Sequence, residues 1–239
     1  INSSRLKNKL LLKIGRYTII EILLKRLKTI NNVSLVCAIA KEKNNYKLKK
    51  IIKKNNVEIY EGSKSNVLKR FYDLSVKKKF NIIIRITSDC PLIDPALIEE
   101  GLKKFKSKKI DYLSNNLHQT WPQGLDFEIF SFKSLKESFM RSNTNSQKEH
   151  VSEYLRSNKK IKKFNLRNPN NLKRYFRWTI DTKMDYKFFK KLFKERPSLI
   201  KDYRWYNLYN YLNKNYYIQR IPHAIGFFSN EYLFNFLPE

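Results

Sequence analysis

Glycine is scarce in this chain. Five occur in 239 residues, at positions 15, 62, 101, 124 and 226, and no two lie closer than 23 positions. A phosphate-cradling Walker loop and the G-x-G-x-x-G dinucleotide fingerprint both need glycines within a few residues of each other, so both are excluded. The nucleophile-elbow pattern G-x-S-x-G is absent as well. Cysteine is rarer still: Cys37 and Cys90 are far apart, each in or beside an apolar run, and read as buried reduced thiols. Together with His118, His150 and His223 they show no zinc-ligand spacing. Long apolar runs are missing too. The longest, 35–40 and 82–84, fall far short of the ~18 residues of a membrane-spanning helix. The first residues are polar and basic, with no signal-peptide pattern. The expectation is a cytoplasmic protein without a membrane span.

Acidic residues are outnumbered, 21 Asp and Glu against 50 Lys and Arg, for a formal charge of +29. Such a charge invites a nucleic-acid reading. A binding face concentrates its charge, however, and here lysine is spread along the chain among many Asn, Ile, Tyr and Phe residues. Those residue types share A/T-rich codons, so a biased genome accounts for them. The physical effect of the charge is long-range attraction for anions, including a nucleoside triphosphate and, non-specifically, RNA.

The chain is ample for one α/β domain with a sizeable core. Helical spacing of apolar residues marks helices over 16–29, 43–54, 65–79 and 95–106. Apolar β-branched runs mark buried strands over 33–40 and 81–87, with a shorter strand at 57–60. Asp94 and Pro95 form a good helix start. This alternation predicts a mostly parallel sheet with helices on both faces. From residue 110 the texture changes to an inserted mixed β-region. Strands are expected at 110–114, 125–130 and 176–180, a helix over 146–157, and another helix after Thr182 with Asp185 three positions on. The final segment, 221–239, has no Lys or Arg and is rich in Phe; it is expected to pack on the body or on a partner.

In open parallel sheets ligands bind beyond the carboxyl ends of the strands. Two carboxylates directly follow strands: Asp89 in Arg85-Ile86-Thr87-Ser88-Asp89-Cys90-Pro91-Leu92, and Asp181 in Arg177-Trp178-Thr179-Ile180-Asp181-Thr182. Two converging carboxylates suit Mg²⁺, which keeps several waters and adds substrate phosphates. The plainer alternative is that each caps a helix. Near the N-terminus, Arg5 and Lys9 stand four positions apart and form a pair able to clamp phosphate oxygens.

These segments resemble the cytidylyltransferase family that includes the CMP-sialic acid and CMP-KDO synthetases, most closely its spore-coat polysaccharide biosynthesis (SpsF) group. Ser3-Ser4-Arg5-Leu6-Lys7-Asn8-Lys9 resembles the S-x-R-L-P-x-K loop. Glu61-Gly62-Ser63 with Val67-Leu68-Lys69-Arg70-Phe71 resembles G-S-x-x-D-V-L-x-R-Y/F. Arg85 to Pro95 resembles R-I-T-G-D-C-P-L-I-D-P, and Tyr112-Leu113-Ser114-Asn115 resembles Y-x-S-N. Gly124 to Phe130 resembles G-L-D-V-E-V-F, Glu149-His150-Val151 resembles E-H-V, and Arg177 to Thr182 resembles R-W-T-V-D-T.

The resemblance implies a nucleotide-diphospho-sugar transferase type of Rossmann-like fold over 1–215, with 216–239 as an aromatic C-terminal segment. It implies transfer of CMP from CTP to a sugar acid for surface glycan synthesis, with release of pyrophosphate, and a homodimer. Asp89 and Asp181 would hold Mg²⁺, and Arg5 and Lys9 would neutralise triphosphate charge. Ser4, Asn115, Gly124, Asp126, Glu128, Glu149, His150 and Arg177 would bind substrate. The alternatives are a glycosyltransferase using a nucleotide-sugar and a catalytically impaired family member. Relative to the family pattern the chain starts inside the first loop, Lys7 replaces Pro, and Ser88 replaces Gly. A central first strand would precede residue 1, so a longer form is expected to be the active one.

Overall fold

The computed structural model describes residues 6, 8–172 and 176–215. A short hairpin, β1 (Lys13–Ile14) with β2 (Tyr17–Thr18), leads into helix α1 (Ile19–Leu27). The helix starts there because Thr18 and Glu21 form a capping box, each side chain accepting from the other's backbone N–H. Strand β3 (Val36–Ala40), helix α2 (Tyr46–Lys54) and strand β4 (Glu58–Gly62) follow, and β3 and β4 pair in parallel. Helix α3 (Val67–Lys78) leads to strand β5 (Ile82–Arg85), then helix α4 (Pro95–Lys108) and strand β6 (Tyr112–Ser114). Beyond these lie β7 (Glu128–Ser131), α5 (Phe132–Arg141), α6 (Asn145–Glu149), α7 (Glu153–Ser157) and β8 (Lys163–Asn165). Helices α8 (Lys183–Glu195) and α9 (Trp205–Asn215) end the described chain.

The second sheet has the order β5-β7-β6-β8, with only β7 reversed against the other three. Its side chains alternate between two cores, as the pleat requires. Ile83, Tyr112 and Phe130 join Leu68, Leu135 and Leu155 from α3, α5 and α7 on one face. Ile84, Leu113 and Ile129 face the other way, with Leu97 and Ile98 of α4. Helices therefore cover both faces, as the alternation of elements implies.

Three sequence expectations are corrected in detail. The segment 176–180 is not a strand; it makes one parallel bridge, Gln123 with Arg177. Its backbone threads between two loops instead, Trp178 N–H donating to Gln123 O (2.6 Å) and Ile180 N–H to Asp89 O (2.9 Å). The helix expected over 146–157 is broken at residues 150–152 into α6 and α7. The strand expected over 125–130 pairs only from Glu128 onward. The C-terminal segment 216–239 lies outside the described residues.

The apolar run that forms β3 predicts a buried strand, yet all five of its residues are half-buried. The reason is a cavity of about 650 Å³ between the two sheets. It is lined by residues 36–39 on one side, by 82–87 on the other, and by Leu23 and Leu27 of α1. Among the described residues β3 pairs only with β4, and β5 only with β7. The facing edges of both strands open into this slot.

Arg26 ties α1 to the start of α4 and to the segment between α8 and α9. It is 2% exposed, and its guanidinium donates to the carbonyls of Leu92, Ile93, Leu199 (2.7 Å), Asp202 and Tyr203. Burial lowers its pKa to about 10, partly offset by Asp94, so it stays charged at neutral pH. Substituting Arg26→Leu strands several buried carbonyls. The expected cost is about 3 kcal/mol, a fall of roughly 6–12 °C in Tm for a chain of this size. Thermal unfolding by circular dichroism checks it; a change under about 2 °C would contradict the clamp.

Candidate active site

Asp89 and Asp181 come together at the carboxyl end of β5. Each is free of a capping duty. Asp94 caps α4 by accepting from Ala96 N–H (2.8 Å). The box at α8 is made by Thr182 and Asp185, with Asp185 also accepting from Asp181 N–H (2.8 Å). Asp181 is thus aimed by its neighbour, and both carboxylates turn toward one ammonium. Lys9 Nζ lies 2.9 Å from Asp181 Oδ1 and 3.9 Å from Asp89 Oδ2, and it also donates to Ile180 O (3.0 Å). The backbone bond from Ile180 to Asp89 holds the two loops together.

Arg177 completes the arrangement. Its Nη2 donates to Asp181 Oδ2 (2.7 Å) and its Nη1 to Gln123 Oε1 (2.7 Å). Burial of Asp181 would raise its pKa, but Lys9 and Arg177 outweigh that and hold it below the usual aspartate range. Its contribution to stability is therefore complete above the ordinary aspartate pKa and is lost as pH falls through the lowered value. Among the described residues no group of three His, Cys, Asp or Glu side chains is placed to hold a metal. Two carboxylates, Asp89 and Asp181, face the one ammonium of Lys9. That donor set fits a hard cation completed by water and phosphate oxygens.

Beside Asp89 lies a cavity of about 180 Å³, lined by Arg85, Asn116, Gln123, Asp126, Glu128 and Thr179 among others. Asp126 sits in its wall, accepting from Gly124 N–H (2.9 Å) and Gln119 Nε2 (3.3 Å). Burial pushes its pKa up against those hydrogen bonds, and the charge of Asp89 adds to the rise. Gly124 is required for this wall: its φ is +107°, and a Cβ there would collide with the Trp178 backbone.

A family model described as Cytidylyltransferase matches residues 1–221. The chain belongs to the cytidylyltransferase family. It is 35% identical over 224 residues to an uncharacterized protein of Methanocaldococcus jannaschii, covering 92% of this chain and 89% of that one. It is 27% identical over 210 residues to the spore coat polysaccharide biosynthesis protein SpsF of Bacillus subtilis, covering 83% and 86%. A solved cytidylyltransferase from Leptospira borgpetersenii superposes with a TM-score of 0.85 at 29% identity, covering 94% of each chain. The protein is therefore a nucleotidyltransferase with the nucleotide-diphospho-sugar transferase type of fold.

Within this cytidylyltransferase the sequence-derived residues divide. Lys9, Asp89, Asp181 and Arg177 converge, and Asp126 and Glu128 line the adjoining cavity with Gly124 shaping it. Ser4 and Arg5 lie outside the described residues. Asn115 is fully buried and bridges backbone, donating to Leu125 O (2.7 Å) and accepting from Phe127 N–H (3.0 Å). It is its neighbour Asn116 that lines the cavity. Glu149 and His150 are exposed at the end of α6 and are not part of the cavity lining.

Glu128 is the centre of a buried polar network. It accepts from Arg85 Nη1 (2.6 Å), Tyr112 Oη (2.6 Å) and Ser152 Oγ, with Arg156 at 3.6 Å. Burial opposes its ionisation, yet Arg85 and these hydrogen bonds win and hold its pKa below the usual glutamate range. The turn between α6 and α7 thus reaches the site through Ser152 rather than through His150. Sequence reasoning misses Asn116, Ser152 and Thr179. Each is a small polar residue adjoining one that the motifs point to, or inside an apolar run.

Proposed function

We propose that the chain transfers CMP from CTP to a sugar hydroxyl and releases pyrophosphate, in the synthesis of a surface glycan. The observation that carries this reading is the meeting of Asp89, Asp181 and Lys9 at one rim of the sheet. The acceptor oxygen forms a bond to the α-phosphorus, the α–β phosphoanhydride bond breaks, and the hydroxyl proton is lost to solvent or a nearby base. Such transfers depend on positioning and charge neutralisation. Mg²⁺ bound by Asp89 and Asp181 would neutralise phosphate charge there. Lys9 adds a fixed positive charge at the same place, with Arg5 proposed beside it. Arg177 holds Asp181 in orientation through its bond to Oδ2. Family membership and the SpsF relative support the cytidylyl group and the glycan role.

Thermal shift with each of the four nucleoside triphosphates, with and without Mg²⁺, tests this. CTP at about a hundredfold over its Kd stabilises by ~2.7 kcal/mol, roughly 5–11 °C here. The expected result is a shift that is selective for CTP and needs Mg²⁺. Equal shifts for all four, or release of free nucleotide from a nucleotide-sugar in place of pyrophosphate from CTP, would count for a glycosyltransferase instead.

We infer also that the slot between β3 and β5 takes one more strand. Three features support this. The facing edges are unpaired among the described residues, the lining is apolar, and Leu10 lines the same slot.

A further inference from the structure

The contacts of Asp89 and Asp181 bear on how the site takes up a cation, an inference that rests on the transferase reading above. Each carboxylate has one oxygen engaged elsewhere and one turned to Lys9. Asp181 Oδ2 accepts from Arg177 Nη2 (2.7 Å), and its Oδ1 meets Lys9 Nζ at 2.9 Å. Asp89 Oδ1 accepts from the Cys90 thiol (3.6 Å), and its Oδ2 turns to the same ammonium at 3.9 Å. Nζ is held there by Ile180 O (3.0 Å) as well. The ammonium thus stands against the two oxygens that a cation shared by these carboxylates would use.

The charges of the pair are already balanced, two carboxylates against Lys9 and Arg177. Asp185 lies behind Arg177 (3.7 Å) and is spent on the N–H groups that start α8. Asp126 is bonded by Gly124, Gln119 and Asn116. A divalent cation arriving alone therefore meets a balanced pair and an ammonium of its own sign. Lys9 and Asp181 are only 16% and 15% exposed, so water screens that repulsion incompletely.

The two basic groups differ in how they are fixed. The planar fork of Arg177 spans Gln123 Oε1 and Asp181 Oδ2 and has Asp185 beside its Nε. Lys9 lies on a single helical turn (Lys9–Leu11) and ends in a point charge on a flexible four-carbon stem. Lys9 can change partner while Arg177 keeps Asp181 in place.

We propose that Lys9 and the divalent cation are alternative occupants of one place. Lys9 closes the carboxylate pair to a cation arriving alone, and yields it when the phosphates of a nucleotide take the ammonium. Cation and nucleotide are then taken up together, each raising the affinity for the other. Lys9 keeps its charge at the site throughout and changes only its partner.

Mn²⁺ is the probe, with no nucleotide present; its free-ion EPR signal is lost on binding. Titrations compare the parent with Lys9→Met and with Lys9→Gln, which keeps a donor for Ile180 O, and melting curves establish that each variant folds. Both variants are expected to bind one Mn²⁺ about tenfold tighter than the parent, or more. Adding Asp89→Asn to either should remove the gain, which locates it at this pair. In the parent, Asp89→Asn should leave Mn²⁺ binding within about twofold, because the pair is closed there. Lys69→Met, which removes an exposed lysine beside Asp73, controls for the lower overall charge and should also stay within about twofold. A smaller gain in every Lys9 variant that folds overturns the proposal, as does a gain that survives Asp89→Asn or is matched by Lys69→Met. Should neither Lys9 variant fold, the parent decides: Mn²⁺ binding that Asp89→Asn weakens about tenfold shows an open pair and overturns it, and unchanged binding upholds it. The gain, with neither a CTP-selective thermal shift nor pyrophosphate release, would keep the closed pair and sink the transferase reading. Pyrophosphate release without the gain would do the opposite.

Discussion

Asp89→Asn and Asp181→Asn are each expected to lower CTP-dependent pyrophosphate release by about 10²–10³-fold, the usual cost of removing one electrostatic group aimed at developing charge. The two should differ in stability. Asp89 is 29% exposed in its side chain and touches Lys9 only at 3.9 Å, so its amide variant should melt within about 2 °C of the parent. Asp181 accepts charge-assisted bonds from both Lys9 and Arg177. Its loss leaves two cations facing a neutral amide and is expected to cost about 1–2 kcal/mol, or roughly 2–8 °C. Asp73→Asn, which removes an exposed ion pair with Lys69, serves as the control and should change neither quantity measurably. Initial rates from coupled pyrophosphate detection, with melting curves on the same samples, decide the matter. Both amide variants staying within about threefold of the parent would remove these carboxylates from the reaction.

The second large effect concerns the slot between β3 and β5. Extending the chain ahead of residue 1 by a five-residue Val/Ile segment is expected to raise Tm by about 6–12 °C. That corresponds to a net gain of ~3 kcal/mol, comparable to fully burying one or two large aliphatic side chains. Five residues match the length of β3, and parallel strands rise about 3.3 Å per residue at 4.7–4.9 Å spacing. Placing Pro at the centre of the added segment removes a ladder donor, so most of the gain should vanish. Amide hydrogen exchange in residues 36–40 and 82–85 should slow in the extended chain and not in the Pro version. No rise in Tm and no slowing would show that the slot is not a strand site.

Much of this architecture is visible in the residues themselves, and the parts that are not have physical reasons. Strands β3 and β5 announce themselves because both faces are apolar, and Asp89 stands out because Asp94 already serves the next helix. Helix α5 carries only Phe132, Leu135 and Phe139 as its core-facing stripe, and two of its three fully buried positions are the small polar residues Ser134 and Ser138, which makes the stripe easy to pass over. Strand β8 has one apolar residue, Phe164, and is held by its parallel register with β6. The segment 176–180 alternates like a strand, but two loops take the backbone groups that a neighbouring strand would have used. The carboxylate pair is legible because its residues follow apolar runs. The cavity beside it is not, because whether Asn115 or Asn116 faces it is decided by a turn that leaves no mark in the sequence.

Arg26 and Lys9 share a property with consequences for biogenesis. Each has a partner more than 170 positions downstream: Leu199 for Arg26, Asp181 for Lys9. During synthesis an N-terminal piece could build helix α1, but its guanidinium would have no carbonyls to meet at that end until residue 199 and beyond had left the ribosome. Contacts of such long separation form slowly, and partly finished forms expose surfaces prone to aggregation. The cluster of Lys9, Asp89 and Asp181 is thus completed among the last events of folding, and a nascent chain cut short before residue 181 would carry only part of it.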